Sequence, residues 1–255
     1  MHVYFIGAGP GDPELITVKG ARLIEQADTI IYTGSLVNPA VMDHANPDTV
    51  IYNSASMTLD EVIAVMLEAV TAGKKVVRLH TGDPSIYGAI KEQMAALDEK
   101  GVTYEVVPGV SSFLAAAAAL KCEYTLPEVT QTVIITRLEG RTMVPDREKL
   151  AKLAAHGSTM CIFLSVQMLD TVVEELLKGG SYQLDTPIAV VVKASWPDEH
   201  ILRGTLATIL DLVKEHGVAR TAMIVVGNCL GSDYALSRLY ASEFTHMYRG
   251  GNNKL

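Results

Sequence analysis

The stretch Ile6-Gly7-Ala8-Gly9-Pro10-Gly11-Asp12-Pro13 follows an apolar N-terminal run and decides the fold of this chain. Three glycines within five residues predict an unusual backbone turn at the end of a first strand. Asp12 is a good helix N-cap and Pro13 suits the first helical position, so we expect a helix directly after the turn. A strand, a glycine turn and a helix N-terminus together predict a site where a ligand lies against bare backbone amides.

This loop differs from the dinucleotide-binding fingerprint G-x-G-x-x-G, which carries a third glycine at its sixth position. Asp12 stands there instead, and a carboxylate at a helix start repels a pyrophosphate. Pro10 also removes one amide donor from the loop. The loop therefore favours a neutral or cationic ligand, and a dinucleotide-dependent dehydrogenase is kept as the alternative of a different class.

Composition excludes several function classes. The chain has 255 residues, of which 49% are hydrophobic and 20% charged, as in globular proteins with a real core. Its net charge of −8 argues against nucleic-acid binding through a broad basic surface. Cys122, Cys161 and Cys229 lack disulfide or metal-ligand spacing, so we expect free thiols, no metal site and a reducing, cytoplasmic compartment. No apolar run approaches the ~18 residues of a membrane span, and the first residues do not resemble a signal peptide.

The first half of the chain alternates apolar runs with helical patterns, which predicts a largely parallel sheet covered on both faces. The predicted strands are 3–8, 29–32, 49–52, 75–80 and 104–107. The predicted helices are 13–26, 37–44, 59–72 (opened by a capping box at 58–61) and 86–100. Ligands of such sheets bind beyond the carboxyl ends of the strands. We therefore expect the loops 7–12, 81–85 and 108–112 to converge at one edge.

The second half repeats this alternation without a glycine-rich phosphate loop. Its predicted strands are 132–136, 159–164, 187–192 and 222–226, and its predicted helices are 147–155, 168–178 and 206–216. The expected fold class is thus α/β, with two α/β domains and a cleft between them. We place the domains at 1–120 and 121–235, followed by a C-terminal tail at 236–255. The last residues, 250–255, are polar and glycine-rich and are predicted to be disordered.

Several loops carry residues that suit chemistry. Asp83 in the loop 81–88 is suited to capping a helix, binding a ribose or attracting a cation, and the plain alternative is a tight turn. His80 is a candidate base, although it ends a strand. The loop 137–145 carries two arginines that are either solvated or grip carboxylates. Trp196 is either a wall for a flat ligand or an isolated hydrophobic cover.

Three of these stretches resemble the signatures of the tetrapyrrole (corrin/porphyrin) methyltransferase family, in the usual order and spacing. They are 7–17 (GAGPGDPELIT), 82–88 (GDPSIYG) and 108–112 (PGVSS), and the resemblance covers nearly the whole chain. It implies a homodimer of two α/β domains that binds S-adenosylmethionine in a trough between the domains. The ligand is then a sulfonium cation, in agreement with the acidic residues of the loops.

Within the family, other stretches resemble the branch that methylates carbon 11 of a corrin precursor in cobalamin biosynthesis. They are 136–145 (TRLEGRTMVP), 193–199 (KASWPDE) and 237–249 (SRLYASEFTHMYR). The sequence leaves open whether the precursor holds cobalt. Uroporphyrinogen III, another precorrin and ribosomal RNA are the alternative substrates within the same fold, and a ligand sensor without turnover is a further alternative.

The resemblance also assigns roles to residues. The cofactor-binding residues that it implies are Pro10, Thr81, Gly82, Asp83, Ile86, Ser111, Ser112, Leu164 and Ala194. A substrate that bears many carboxylates needs cations, for which Arg78, Arg137 and Arg141 are the predicted residues, with Arg203 and Arg220 as further candidates. No catalytic side chain is identified, because positioning alone supplies much of the barrier reduction in a direct methyl displacement. Relatives often carry an acidic residue in the loop after the second strand, but 32–36 (YTGSL) has none.

Overall fold

The computed structural model describes residues 1–232, 234–237, 241, 244, 245 and 247. These residues form two α/β units. Unit 1 comprises Met1–Ala119 and Lys193–His200, and unit 2 comprises Leu120–Val192 and the described residues from Ile201 onward. The segment Lys193–His200, which the sequence placed within 121–235, therefore groups with unit 1. The predicted disorder of residues 250–255 lies outside the described residues.

Unit 1 is built on a five-stranded sheet in the order β3-β2-β4-β1-β5, and the strand pairs are parallel, as predicted. The strands are β1 (His2–Gly7), β2 (Thr29–Tyr32), β3 (Val50–Asn53), β4 (Val76–His80) and β5 (Thr103–Val107). The helices are α1 (Val18–Glu25), α2 (Leu59–Thr71), α3 (Ile90–Glu99) and α4 (Ser112–Leu120). The predicted capping box opens α2, where the Thr58 and Glu61 side chains each accept a hydrogen bond from the other residue's amide.

The register of the sheet positions the glycine-rich loop. Gly7, the last residue of β1, lies beside His80, the last residue of β4. All five residues of β4 are buried, as expected for a central strand with helices on both faces. The loops that follow β1 and β4 therefore leave the sheet side by side at its carboxyl edge.

The predicted first helix, 13–26, is wrong in its extent. Pro13–Leu15 forms only a 3-10 turn, because the backbone at Ile16 is extended. Thr17 then caps α1 through a 3.1 Å hydrogen bond from the Gly20 amide to its hydroxyl. The predicted helix 37–44 is likewise a 3-10 helix, Pro39–His44.

The predicted helix 86–100 begins late. Tyr87 and Ala89 adopt left-handed backbone conformations, with φ of 55° and 49°. Left-handed residues cannot continue a right-handed helix, so α3 begins only at Ile90.

Unit 2 contains a five-stranded sheet in the order β6-β7-β10-β8-β9. The strands are β6 (Val133–Arg137), β7 (Thr159–Phe163), β8 (Pro187–Val192), β9 (His200–Thr205) and β10 (Ala222–Val226). β6 and β7 are parallel, whereas β10 is antiparallel to both β7 and β8. The helices are α5 (Leu150–Ala154), α6 (Leu169–Lys178) and α7 (Ile209–Glu215), and their apolar faces pack on one core with the sheet. The sequence missed β9, whose residues HILRGT lack a sustained apolar run.

Candidate active site

The three glycine-rich loops of unit 1 meet at the carboxyl edge of its sheet, as the strand pattern predicted. Gly9 and Gly82 exchange backbone hydrogen bonds, with N···O distances of 3.3 and 2.9 Å. Gly7 and Gly109 lie so close that a Cβ atom on Gly7 would stand 2.6 Å from the Gly109 Cα. A Cβ on Gly109 would stand 2.1 Å from the Gly82 carbonyl oxygen. Only glycine backbones fit together at this junction.

Asp83 braces two of these loops. Its Oδ1 accepts hydrogen bonds from the Ser85 amide, at 2.8 Å, and from the Ser85 hydroxyl. Its Oδ2 accepts one from the Gly109 amide at 2.9 Å. Partial burial alone would raise the pKa of the Asp83 carboxyl, but the hydrogen bonds from Ser85 and Gly109 outweigh it and hold that pKa below its ordinary value. Asp83 is therefore an anion at neutral pH, fixed within the loop junction.

Two of the backbone amides that were predicted to be bare, at the end of the first loop, have hydrogen-bond partners within unit 1. The Asp12 amide donates to the Ser195 hydroxyl at 3.0 Å, and the Asp12 carboxylate accepts from the Glu14 amide at 2.9 Å. The Gly11 carbonyl oxygen accepts from the Asn38 side chain at 2.8 Å. The loop is thus held by side chains along its length. Ser195 is one of them, and no local sequence signal marks it because it lies 183 positions further along the chain.

The other cofactor residues implied by the resemblance occupy varied surroundings. The Thr81 and Thr33 hydroxyls lie 3.3 Å apart, which places Thr33 of the loop without a carboxylate beside the second glycine-rich loop. Ser111 is buried directly before α4, which begins at Ser112. The Ile86 amide donates to the Asp83 carbonyl oxygen at 3.2 Å, closing the turn.

Leu164 and Ala194, two of the cofactor residues implied by the resemblance, fall in different units. Ala194 is buried in unit 1, although the sequence placed it in the second domain. Leu164 belongs to unit 2, where it follows β7 with a left-handed φ of 54° and a side chain that is 64% exposed.

Arg78 does not behave as a substrate-binding residue. Its side chain is 5% exposed and donates to the Gln93 amide oxygen, the Ser54 hydroxyl and the Ile31 carbonyl oxygen, at 2.9, 2.9 and 3.1 Å. Burial lowers the pKa of its guanidinium to about 10. The prediction that Arg78 grips a carboxylate is therefore wrong, because its donors are used inside the unit.

His80 is also unsuited to the role of a base. The residue is 1% exposed, and within the described residues its Nε2 has no hydrogen-bond partner. Burial, together with the nearby Arg78 charge, lowers the pKa of the imidazole to about 3. His80 is therefore neutral and shielded from solvent at physiological pH.

The two arginines of the loop 137–145 in unit 2, which we call the arginine loop, have different surroundings. The Arg137 guanidinium donates to the carbonyl oxygens of Leu138, Thr142 and Met143, at 3.2, 3.1 and 3.0 Å. It therefore shapes the loop from within. Arg141 at the loop tip is exposed. Of the further candidates, Arg203 donates to the Leu120 carbonyl oxygen at 2.6 Å and Arg220 is exposed.

The chemistry of the loop junction suits a cation. The three loops contribute Asp12 and Asp83 and no lysine or arginine, so their net charge is negative. Gly7 and Gly109 pack too closely for a Cβ atom on either residue, so the loops meet through their backbones. These residues fit S-adenosylmethionine, which carries a positive sulfonium, better than a phosphate-bearing ligand.

Among the described residues, no group of three or more histidine, cysteine or acidic side chains is arranged to hold a metal ion. No helix in the described part of the chain has the length and apolar character to cross a membrane.

A parallel α/β unit whose glycine-rich loops meet at the carboxyl edge of the sheet and carry acidic residues is typical of a protein that binds a small cationic ligand. Residues 2–210 match the family model of the tetrapyrrole (corrin/porphyrin) methylases. The chain belongs to this family, and the prediction from its three loop signatures is confirmed. The two-domain α/β fold class, the methyltransferase activity and the S-adenosylmethionine cofactor are confirmed with it. The dehydrogenase alternative is thereby set aside.

Individual relatives are similar over nearly their whole length. The cobalt-precorrin-4 C(11)-methyltransferase of Methanocaldococcus jannaschii is 58% identical over 253 residues, covering 99% of this chain and 97% of the relative. The X-ray structure of a cobalamin biosynthetic enzyme, the cobalt precorrin-4 methyltransferase CbiF, matches with a TM-score of 0.88 and 48% identity, covering 90% of this chain and 95% of that one. The uroporphyrin-III C-methyltransferase of Thermus thermophilus, solved with S-adenosylhomocysteine, matches with a TM-score of 0.77 and 29% identity, covering 90% and 99% of the two chains.

Proposed function

We propose that this protein transfers a methyl group from S-adenosylmethionine to carbon 11 of cobalt-precorrin-4, a step of cobalamin biosynthesis. The observation that carries the proposal is the similarity to the Methanocaldococcus jannaschii enzyme, which spans nearly the whole of both chains. The arginine loop 137–145 lies within that span. The cobalt belongs to the substrate in this proposal.

The cofactor site in this proposal is the junction of the three glycine-rich loops. Bound S-adenosylmethionine supplies an electrophilic methyl group on a positively charged sulfur. The carboxylates of Asp12 and Asp83 provide negative potential there. The proposed cofactor residues are Pro10, Thr81, Gly82, Asp83, Ile86, Ser111, Ser112, Leu164 and Ala194.

The proposed substrate contacts come from the arginine loop. Arg137 holds the loop in shape through three carbonyl oxygens, and Arg141 presents an exposed guanidinium at its tip. Guanidinium groups bind carboxylates in a bidentate manner, and the corrin precursor carries several carboxylates. Arg78 is left out of this site because it is buried and hydrogen-bonded.

Catalysis in this proposal is positioning. A direct displacement needs the carbon nucleophile, the methyl group and the sulfur nearly in line, and orientation alone is worth up to ~7–11 kcal/mol of the barrier. The loop 32–36 offers no carboxylate to act as a base, and its Thr33 hydroxyl is placed beside Thr81. The role of the protein in this proposal is to orient the cofactor and the substrate so that these three atoms lie in line.

We further propose that the protein works as a homodimer in the cytoplasm. The family resemblance supports the dimer, and sedimentation velocity measures it. The free state of Cys122, Cys161 and Cys229 supports a reducing compartment.

Isothermal titration with S-adenosylhomocysteine, with NADH as the control ligand, tests the cofactor. We expect micromolar binding of the first and none of the second; binding of NADH alone would overturn the proposal. Turnover is then followed with methyl-labelled S-adenosylmethionine and carbon-13 NMR of the product. Label at carbon 11 supports the proposal, and label at another carbon, or turnover with uroporphyrinogen III instead, contradicts the assigned substrate.

A further inference from the structure

Two residues of the segment Lys193–His200 clamp the first glycine-rich loop. The Trp196 indole Nε1 donates to the Pro10 carbonyl oxygen at 2.9 Å. The Ser195 hydroxyl accepts from the Asp12 amide at 3.0 Å. These two hydrogen bonds flank Gly11 on both sides, so the segment fixes the backbone of the loop at two successive peptide groups.

The indole also explains why residue 11 is a glycine. A Cβ on Gly11 would stand 2.0 Å from the Trp196 Cδ1 and 2.2 Å from its Nε1. Gly11 does not have a positive φ, so its backbone conformation suits other residues as well. The missing side chain is therefore required by the contact with the ring, and Trp196 is neither a solvent cover nor a detached wall.

The clamping segment is itself held in a strained conformation. Lys193 and Ser195 have left-handed φ values of 48° and 69°. The Ser195 amide donates to the Glu199 carboxylate at 2.6 Å, and the Trp196 amide donates to the Lys193 carbonyl oxygen at 2.9 Å. Lys193 pairs with Asp198. Strain of this kind persists where the surrounding contacts over-determine it, and it clusters at ligand clamps.

We propose that Trp196 and Ser195 are positioning residues that set the affinity for S-adenosylmethionine by fixing the loop from Pro10 to Asp12. The inference rests on the proposed function. Neither residue needs to touch the reacting atoms. The loop that they hold exchanges hydrogen bonds with the second glycine-rich loop through Gly9 and Gly82. Releasing the clamp therefore loosens one wall of the cofactor site and leaves the arginine loop 137–145 unchanged.

The test uses Trp196→Phe, which keeps an aromatic ring but removes the N–H donor together with part of the indole, and Ser195→Ala, which removes the acceptor of the Asp12 amide. Losing one such hydrogen bond weakens binding by about threefold to tenfold. We expect the Kd for S-adenosylhomocysteine and the KM for S-adenosylmethionine to rise by that factor in each variant. The KM for the tetrapyrrole and the kcat at saturating cofactor should change by less than about twofold.

The matched control is Tyr182→Phe. This change also removes an aromatic donor from a backbone carbonyl oxygen, that of Ser158, but it does so in unit 2. It should lower the Tm without changing the cofactor Kd. Should Trp196→Phe not fold, Ser195→Ala carries the same expectation.

A double-mutant cycle tests the contact between residue 11 and the Trp196 ring. Gly11→Ala alone forces a clash with the indole, whereas Gly11→Ala combined with Trp196→Ala removes the obstacle. The double variant should bind S-adenosylhomocysteine no more weakly than Trp196→Ala alone. Unchanged cofactor affinity in Trp196→Phe and Ser195→Ala, or an equal rise in the KM of both substrates, would overturn the inference while wild-type binding still supports the proposed function. Failure of the wild type to bind S-adenosylhomocysteine overturns both.

Discussion

The loop junction of unit 1 and the arginine loop of unit 2 are built on opposite principles. At the junction, Gly7 and Gly109 pack against each other and against the Gly82 carbonyl oxygen, with no room for a Cβ on either residue. In the arginine loop, the one glycine, Gly140, has no atom closer to a Cβ position than the Met168 Cε at 3.5 Å. That loop takes its shape from a side chain, since Arg137 binds three of the loop's carbonyl oxygens.

The difference matches the two ligands of the proposed reaction. The cofactor, which the whole family shares, is bound in this proposal by loops whose backbones leave no room for a side chain at Gly7 or Gly109. A substrate that differs between branches is met by exposed side chains on a loop, which change without disturbing a core. We therefore expect the two regions to respond differently to mutation.

The largest expected effect is that of Gly109→Ala. The new Cβ would stand 2.1 Å from the Gly82 carbonyl oxygen and 2.7 Å from the Gly7 Cα, and neither backbone atom has a rotamer through which to escape. We expect a loss of about 3 kcal/mol in unfolding free energy and no measurable binding of S-adenosylhomocysteine. Thermal unfolding and titration calorimetry measure the two effects.

Gly140→Ala is the matched control in the arginine loop. It should change the unfolding free energy by no more than about 0.5 kcal/mol, because the nearest neighbour is the flexible end of a methionine. Its affinity for S-adenosylhomocysteine should equal that of the wild type. Equal damage from both alanines would mean that the two loops do not differ in construction.

The loop junction could be predicted from the sequence because glycines and strand ends are local signals. The convergence of 7–12, 81–85 and 108–112 followed from a parallel sheet, and the pairing of Gly9 with Gly82 confirms it. The sequence did not reveal the hydrogen bond between Asp12 and Ser195, because a contact across 183 positions leaves no periodicity. Arg78 was misjudged for a related reason. Alternation placed it on one face of β4, but its partners Gln93 and Ser54 come from separate elements.

Acid should weaken unit 1 through His80. The folded state holds the pKa of this imidazole near 3, against about 6.5 for an ordinary histidine, so between these values the unfolded chain binds the extra proton. The stabilising contribution is therefore fully present above pH 6.5 and is lost as the pH falls toward 3. At pH 5.5 we expect a loss of about 1 kcal/mol relative to neutral pH, visible in urea unfolding.

His80→Gln should remove this part of the pH dependence, because the amide does not titrate in the same range. His156→Gln, at an exposed position in unit 2, should follow the wild-type pH profile. A wild-type slope retained in His80→Gln would place the acid sensitivity elsewhere in the molecule.

The smallest effect, about fivefold, is expected from Arg141→Ala. Its guanidinium is exposed at the tip of the loop, so its removal costs no stability and deprives the substrate of one charged contact, worth about 1 kcal/mol. The KM for the tetrapyrrole should rise about fivefold, and the Kd for S-adenosylhomocysteine should stay unchanged.

Arg137→Ala should raise the same KM at least as much and also lower the Tm, because the loop's carbonyl oxygens lose their shared donor. Steady-state kinetics at saturating cofactor separate the two arginines. An equal rise in cofactor Kd and substrate KM for either variant would show that the arginine loop serves the cofactor as well, and the contrast between the two regions would fail.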